Sequence, residues 1–249
     1  MLRNSKRNLM QAFLSIIIPA YNEETRLKNT LPNLKVFLEG LSFRWEIIIV
    51  DDGSVDGTTD FARKYFNGSL CRVIVNKVNR GKGYSVKRGV LAAEGELILI
   101  SDADFSTPLN DFYKLKAALD NGSDIAIGSR SLPDSNVVVP QAIVRESIGR
   151  TFNWFVNLIV LGGFVDTQCG FKLFPAKVAK PLFQKMTVDR FCFDVEFLYL
   201  ARQAGLKIAE VPVEWYNVQE SRVRILFDSP DMLADLFRIR LNNWLGKYR

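Results

Sequence analysis

The sequence contains no histidine and only three cysteines among its 249 residues. The lack of histidine excludes Ser-His-Asp and Cys-His nucleophilic sites, HExxH zinc sites and imidazole acid/base catalysis. Cys71, Cys169 and Cys192 are widely spaced and form no CxxC motif, so the sequence indicates neither a disulfide framework nor a zinc knuckle. Catalysis would therefore depend on carboxylates, Lys, Arg, Tyr or backbone groups, and a reducing compartment fits the cysteine usage.

Long apolar runs are also missing. A membrane span needs ~20 apolar residues, whereas the longest candidates are residues 13–20 and 154–165, and the second is interrupted by Asn157 and two glycines. The basic first residues are followed by too short an apolar segment for a secretory signal. We therefore expect a cytoplasmic protein.

The net charge of +6 is concentrated at the two ends of the sequence. Residues 1–11 carry three basic residues and no acid, and residues 222–249 carry six basic residues against three acids, which leaves the body neutral. Basic ends suggest an anionic surface or a phosphate ligand. The body shows no basic stripe with interleaved aromatics, so we expect no nucleic acid partner.

Short β-branched runs alternate with segments of helical spacing, which predicts an α/β fold with a mostly parallel sheet flanked by helices. The length favours one domain over residues 1–249. The predicted strands are 13–18, 45–51, 72–76, 96–101, 124–128 and 208–213, and the predicted helices are 23–39, 56–66, 82–94, 109–119, 145–161, 194–203 and 232–248. The last of these is amphipathic.

Polar residues follow several predicted strands, where ligands bind in sheets of this kind. Asp102 and Asp104 leave an apolar strand together, and two neighbouring acids are unfavourable without a cation. A helix cap is the plainer interpretation of a lone DxD. Opposite other acids, however, the pair favours Mg²⁺ or Mn²⁺ that is completed by phosphate oxygens.

Further candidates lie at the neighbouring strand ends. Asp52 could accept hydrogen bonds from a nucleobase, and Tyr21 and Glu23 could frame base and ribose. Lys82 opens a helix within Gly-Lys-Gly, which matches neither GxGxxG nor a P-loop but can face an anion. Arginine suits phosphate, and the candidates near the cleft or its rim are Arg130, Arg145 and Arg222.

Together these motifs resemble the family 2 inverting glycosyltransferases. SIIIPAYNE (15–23), VDDGSVDGT (50–58) and DAD (102–104) are similar to the nucleotide-sugar half of that family. DTQCGFKLF (166–174), FDVE (193–196), DSPDM (228–232) and RIR (238–240) are most similar to the branch that comprises dolichyl-phosphate β-glucosyltransferases.

The resemblance implies a GT-A fold with a nucleotide-sugar-binding half over residues 1–130 and an acceptor- and membrane-facing half over residues 131–249. It implies transfer of glucose from UDP-glucose to a dolichyl or related polyprenyl phosphate, assisted by Mg²⁺ or Mn²⁺. Site roles also come from it. The implied donor-binding residues are Pro19, Tyr21, Glu23, Asp52, Lys82 and Asp102, the metal ligands are Asp102 and Asp104, and the acceptor-phosphate residues are Arg130, Arg145 and Arg222.

A phosphate nucleophile is already anionic at neutral pH, so such a reaction needs no general base, which agrees with the missing histidine. Catalysis would then rest on alignment of the two substrates and on a metal at Asp104 that stabilises the departing diphosphate. Asp194 and Glu196 are candidates for recognition of the sugar hydroxyls or for a remnant base. The alternatives are a synthase that uses GDP-mannose or a UDP-N-acetylhexosamine, a hydroxyl-directed glycosyltransferase and a non-catalytic binding protein.

Many members of the resembled branch carry an N-terminal membrane span, and the sequence has no such run. We therefore expect peripheral attachment to the cytoplasmic face of a membrane. The candidate segments are the basic N-terminus, residues 145–161 and the C-terminal stretch, because modest apolar burial combined with attraction to anionic lipid can suffice.

Overall fold

The computed structural model describes residues 13–66, 70–139, 143–217 and 225–248. The strands are β1 Leu14–Ala20, β2 Trp45–Asp51, β3 Cys71–Val75, β4 Leu97–Ile100, β5 Ile125–Ser129, β6 Asn136–Val139, β7 Lys172–Pro175, β8 Ile208–Pro212 and β9 Glu214–Tyr216. The α-helices are α1 Glu24–Glu39, α2 Thr58–Tyr65, α3 Lys82–Ala92, α4 Phe112–Asp120, α5 Ile143–Ile159, α6 Ala176–Lys185, α7 Phe193–Gln203 and α8 Ile225–Trp244. A 3₁₀ turn, Leu109–Asp111, precedes α4.

Seven strands form the main sheet in the order β3-β2-β1-β4-β7-β5-β8. All neighbours are parallel except β7, which runs antiparallel to both β4 and β5. Strands β6 and β9 pair in a separate two-stranded sheet. The parallel strands β1, β2 and β4 end at the same edge, and this edge carries the candidate site.

The main sheet is covered on both faces, which explains why its strands are continuous apolar runs rather than alternating ones. Ile17 points into a core with α3, α5, α7 and α8, whereas Ile16 and Ile18 point into a second core with α1 and α4. All three side chains are fully buried. The period of two along the strand thus divides one apolar run between two cores.

The predicted α/β fold with a mostly parallel, helix-covered sheet is confirmed. In the first 130 residues, each predicted strand and helix has a counterpart whose ends differ by at most three residues, and the largest shift comes from the 3₁₀ turn after Pro108. The prediction missed β6, β7, β9 and α6. Strand β7 matters most, since it inserts in the middle of the sheet, directly beside β4.

Helices α5 and α8 pack against each other and leave large apolar side chains in solvent. Trp154 and Leu158 are exposed on α5, and Phe237, Leu241 and Trp244 are exposed on α8. We call these five residues the α5/α8 surface. In the part of the chain that the structure describes, no helix has the length and apolar character to cross a bilayer.

Candidate active site

The loops after β1 and β2 are joined by hydrogen bonds. The Asn22 N–H donates to the Ser54 hydroxyl and the Glu23 N–H donates to the Thr58 hydroxyl, both at 2.8 Å. Asn22 takes a positive φ of 54°, which its short polar side chain tolerates. Buried Glu23 forms an ion pair with Arg26 at 2.7 Å. Tyr21 is exposed, so its ring is accessible beside this rigid corner.

Asp52 organises the loop that leads into α3. Its buried carboxylate accepts hydrogen bonds from the Asn76 amide at 2.6 Å and from the backbone N–H groups of Arg80 and Gly81 at 3.0 and 2.7 Å. Gly81 has φ +108°, and a Cβ there would lie 2.5 Å from the Asp189 carbonyl oxygen, so this position requires glycine. The acid predicted to contact a base therefore also fixes the start of α3, where Lys82 stands.

Lys82 and Asp102 meet at this edge, with 2.6 Å between Nζ and Oδ1. Burial opposes the positive charge of Lys82, but Asp102 and Asp194 outweigh it and raise the pKa of the ammonium. Burial likewise opposes the negative charge of Asp102, but Lys82 outweighs it and lowers the pKa of the carboxyl group. The two side chains therefore form a charged pair, and both remain partly accessible, at 23% and 36% exposure.

Asp102 and Asp104 occupy one tight turn, which the Phe105 N–H closes by donating to the Asp102 carbonyl at 3.1 Å. Phe105 has a positive φ of 45°, an unusual value for a bulky residue and one often found at functional sites. The Asp104 carboxylate accepts a hydrogen bond from the Ser106 N–H at 2.9 Å. The turn presents both carboxylates of the DxD motif at the end of β4.

Gly170 lies against the other side of Asp102. A Cβ built at this position would be 2.1 Å from Asp102 Oδ2, far inside contact distance. The loop 166–171 therefore borders the DxD motif, and its glycine makes the close approach possible. In the sequence this loop stands out only through its family resemblance, although a glycine between polar residues and a strand is a signal of close backbone approach.

A buried ion pair that the sequence did not indicate lies beside this loop. Lys172 Nζ is 2.7 Å from Asp194 Oδ1, and both side chains are at most 5% exposed. The same ammonium donates to the Cys169 carbonyl at 2.5 Å. Burial raises the pKa of Asp194 against the opposing influence of Lys172. Lys172 thus joins α7, β7 and the loop that contacts Asp102.

Arg130 forms a two-pronged ion pair with Asp166. Its Nε and Nη2 donate to the two carboxylate oxygens at 2.7 and 2.8 Å, and its backbone N–H donates to the same carboxylate at 3.0 Å. Burial opposes the charge of Asp166, but Arg130 outweighs it and lowers the pKa of Asp166 to about 2. The guanidinium lies 5.7 Å from the centre of the Trp215 ring and is 30% exposed.

Two of the predicted acceptor residues cannot be placed in the same way. Arg222 and the side chain of Arg145 lie outside the described residues, although Arg145 itself belongs to α5. Pro19 is half-buried near the end of β1. The structure thus brings Arg130 close enough to Asp102 for its charge to lower the pKa of that carboxyl group.

Glu196 has different surroundings from the other candidates. It is fully buried, and its oxygens accept hydrogen bonds from the backbone N–H groups of Thr187 and Val188, from the Thr187 hydroxyl and from the Tyr248 hydroxyl at 2.6 Å. These contacts join α7 to the C-terminal segment. The catalytic role of Glu196 stays a prediction, and its contacts favour a structural one.

The acids of this edge fit a divalent metal whose coordination is completed by the oxygens of a phosphate. Asp102 and Asp104 would supply the oxygen ligands, because Mg²⁺ is commonly held by one or two carboxylates plus substrate phosphate oxygens. Within the described ranges, no three His, Cys, Asp or Glu side chains are grouped so that they enclose a metal ion. The donor set therefore suits a metal completed by a ligand rather than an all-protein cage.

Comparison with known proteins adds the family. The model of Glycosyl transferase family 2 matches residues 15–178. Dolichyl-phosphate beta-glucosyltransferase of Dictyostelium discoideum is 38% identical, over 98% of this chain and 79% of the relative. The Homo sapiens protein of that name is 36% identical, over 95% and 77%.

A solved structure shows the same fold. It is a glucosyl-3-phosphoglycerate synthase from Mycobacterium tuberculosis, crystallised with Mn²⁺, uridine-diphosphate and glucosyl-3-phosphoglycerate. It superposes with a TM-score of 0.67 at 19% identity and covers 95% of this chain and 81% of its own. The predicted GT-A fold is therefore confirmed.

Proposed function

The chain belongs to glycosyl transferase family 2, and we propose that it transfers glucose from UDP-glucose to the phosphate of a dolichyl or related polyprenyl lipid. Relatives that match nearly the whole chain are named dolichyl-phosphate beta-glucosyltransferase, which supports a hexosyltransferase with this acceptor. The observation that carries the proposal is the charged edge where the cations Lys82 and Arg130 both act on the Asp102 carboxylate.

The donor would bind over the ends of β1, β2 and β4. We assign the base and ribose to Tyr21, Glu23 and the loop that Asp52 organises, and the diphosphate to Lys82, with Pro19 shaping the same corner. Asp102 and Asp104 would hold Mg²⁺ or Mn²⁺. When bound, such a metal stabilises the negative charge that develops on the departing UDP.

The acceptor phosphate would attack the anomeric carbon, so that the new bond to the lipid phosphate forms as the bond to UDP breaks, with inversion from α to β. Because the phosphate is already anionic, its attack needs no proton removal. Lys172 holds Asp194 in a buried pair, and we assign Asp194 to positioning. Catalysis then depends on alignment and charge.

Arg130 is the described residue that best suits the acceptor phosphate. A guanidinium has five N–H donors in a fixed plane. In Arg130, two of these donors bind the Asp166 carboxylate. The remaining donors can bind a phosphate while Asp166 holds the plane in place. We propose that Arg145 and Arg222 contribute to the same phosphate site.

The α5/α8 surface supports peripheral attachment to the cytoplasmic face of a membrane. Exposed Trp154, Phe237 and Trp244 are large apolar groups on two packed helices, and Arg238 and Arg240 stand on the same C-terminal helix. Aromatic side chains with nearby cations are typical of helices that lie in the interface of an anionic membrane. Such attachment would bring the cleft to its lipid substrate.

Donor and acceptor selectivity test this proposal. We expect UDP release from UDP-glucose with Mg²⁺ or Mn²⁺ to depend on a short polyprenyl phosphate, and GDP-mannose to give no comparable release of GDP. Asp104→Asn should reduce turnover by at least about a hundredfold through loss of charge stabilisation, while the surface variant Asp120→Asn should not. Turnover of GDP-mannose alone, or near-normal turnover by Asp104→Asn, would contradict the proposal.

A further inference from the structure

Two cations are assigned to one carboxylate at the DxD edge. The Lys82 ammonium lies 2.6 Å from Asp102 Oδ1, and the same carboxylate is a ligand for the metal in the proposed function. A lysine ammonium and a divalent metal ion repel each other at contact distance. Binding of both cations at the same oxygen is therefore unfavourable.

The surroundings of Asp102 restrict how its carboxylate could move to bind both cations. Gly170 closes one side, since even a methyl group there would overlap the carboxylate. On the other side, the position of Lys82 is set by the preceding loop, whose backbone N–H groups bind Asp52. The Asp102 side chain is 36% exposed, so the direction that remains open is toward the cleft.

A second acid acts on Lys82. The charge of Asp194, a buried residue, also raises the pKa of the Lys82 ammonium, although less than the charge of Asp102 does. The ammonium also lies 5.9 Å from the centre of the Phe193 ring. If Lys82 leaves Asp102, the negative charge of Asp194 still favours the charged form of the ammonium.

We propose that Lys82 competes with the divalent metal for Asp102, so that metal alone binds weakly and the nucleotide diphosphate relieves the competition by engaging the ammonium. This inference rests on the proposed function, because it takes Asp102 as a metal ligand. It makes Lys82 a residue that couples metal binding to nucleotide binding, in addition to the phosphate oxygens that would complete the metal's ligands. Metal and nucleotide then bind with positive cooperativity, and each raises the affinity for the other by the same factor.

The test is the affinity of Mn²⁺ for the full chain without any glucosyl transfer, measured by electron paramagnetic resonance of free Mn²⁺ in the presence and absence of UDP. Lys82→Met removes the competing charge and keeps the length of the side chain. We expect Mn²⁺ alone to bind this variant about tenfold more tightly than the wild type, within the usual range of coupling between linked sites. UDP should strengthen Mn²⁺ binding less in the variant than in the wild type, because only the gain from the phosphate oxygens remains.

Three controls make the result specific. Lys116→Met makes the same change in net charge at a surface pair with Asp120 and should leave Mn²⁺ affinity unchanged. Lys82→Arg keeps the positive charge, so it should bind Mn²⁺ alone as weakly as the wild type does. If Lys82→Met does not fold, Lys82→Arg becomes the informative variant, and tighter binding of Mn²⁺ by a variant that still carries the competing charge would contradict the proposal. Asp102→Asn should abolish UDP-dependent Mn²⁺ binding.

The possible failures are distinguishable. If the wild type binds Mn²⁺ with UDP but Lys82→Met gains no affinity for Mn²⁺ alone, the competition is overturned and the proposed function stands. If the wild type binds no Mn²⁺ either with or without UDP, the metal assignment fails, and the competition fails with it.

Discussion

At the scale of single residues, the charged groups of the site are held by protein partners rather than by solvent. Asp166 is 6% exposed and takes three hydrogen bonds from Arg130. Asp194 and Lys172 neutralise each other in the interior. Buried ion pairs of this kind hold their side chains in a fixed geometry, whereas their net contribution to the free energy of unfolding is small or variable.

Asp166 gives a pH-dependent prediction. Its pKa is lowered to about 2 from an ordinary value of 3.8, so its stabilising contribution is fully present above about pH 4 and is lost as the pH falls toward 2. The shift corresponds to roughly 2 kcal/mol at neutral pH. Asp166→Asn should lose at least that much unfolding free energy at pH 7, and its deficit against the wild type should shrink by pH 3, as measured by urea unfolding. A deficit of the same size at both pH values would contradict the pairing, and Asp120→Asn is the surface control.

Gly170 gives a prediction about activity. Gly170→Ala would place a methyl group against the Asp102 carboxylate and should displace the DxD turn, with turnover falling about a hundredfold, as expected when a catalytic group moves by about 1 Å. Gly149→Ala is the matched control, because its Cβ meets nothing within 4 Å. Circular dichroism should show both variants folded, and normal turnover of Gly170→Ala would exclude a constraint on Asp102.

At the scale of elements, the first half of the fold was predictable because its signals are local. Runs such as Ile16–Ile18 specify buried strands, and Asp102 and Asp104 stand directly after one. Strand β7 was not predictable, because it is four residues long, begins with a lysine and runs antiparallel in a parallel surrounding. Register then places Lys172 opposite Ile100, the last residue of β4.

The contacts within the site depend on the same tertiary arrangement. Lys82 and Asp102 are 20 residues apart in sequence, and Lys172 and Asp194 are 22 apart. Each pair forms only after a helix has packed against the sheet, so residue types at the strand ends identify candidates without identifying partners. The structural contacts of Glu196 were missed for the same reason, since Tyr248 is 52 residues away.

The C-terminal segment is tied to α7 by one side-chain contact that can be tested. Tyr248→Phe removes the hydrogen bond to the buried Glu196 carboxylate and should lower the unfolding free energy by about 1.5–3 kcal/mol, as for hydrogen bonds to charged groups. The exposed Tyr113→Phe should change it by less than about 0.5 kcal/mol. Equal effects in chemical denaturation would show that the Glu196 contact contributes nothing.

At the scale of the whole molecule, the two faces of the sheet differ. The face covered by α5 and α8 carries the exposed aromatics of the α5/α8 surface, and the opposite face is covered by α1. Because the proposed acceptor is a lipid, we expect the protein to bind the membrane with the α5/α8 surface facing the bilayer.

Sedimentation with vesicles tests that orientation. Trp154→Ala with Trp244→Ala should reduce binding to anionic vesicles by about tenfold or more, since each indole contributes apolar burial at the interface. Val36→Ala, an exposed position on α1, should have no effect. If the double variant binds as tightly as the wild type, the α5/α8 surface is not the attachment surface.

The central claim is that a lipid phosphate accepts glucose at the DxD edge. The most direct measurement is the recovery of labelled glucose in the organic phase after incubation with UDP-[¹⁴C]glucose, Mn²⁺ and a short polyprenyl phosphate. We predict a lipid-phosphate product with a β-linked glucose that depends on the added lipid and disappears in Asp104→Asn. Labelled glucose that stays in the aqueous phase as a soluble glycoside, with or without lipid, would contradict the account.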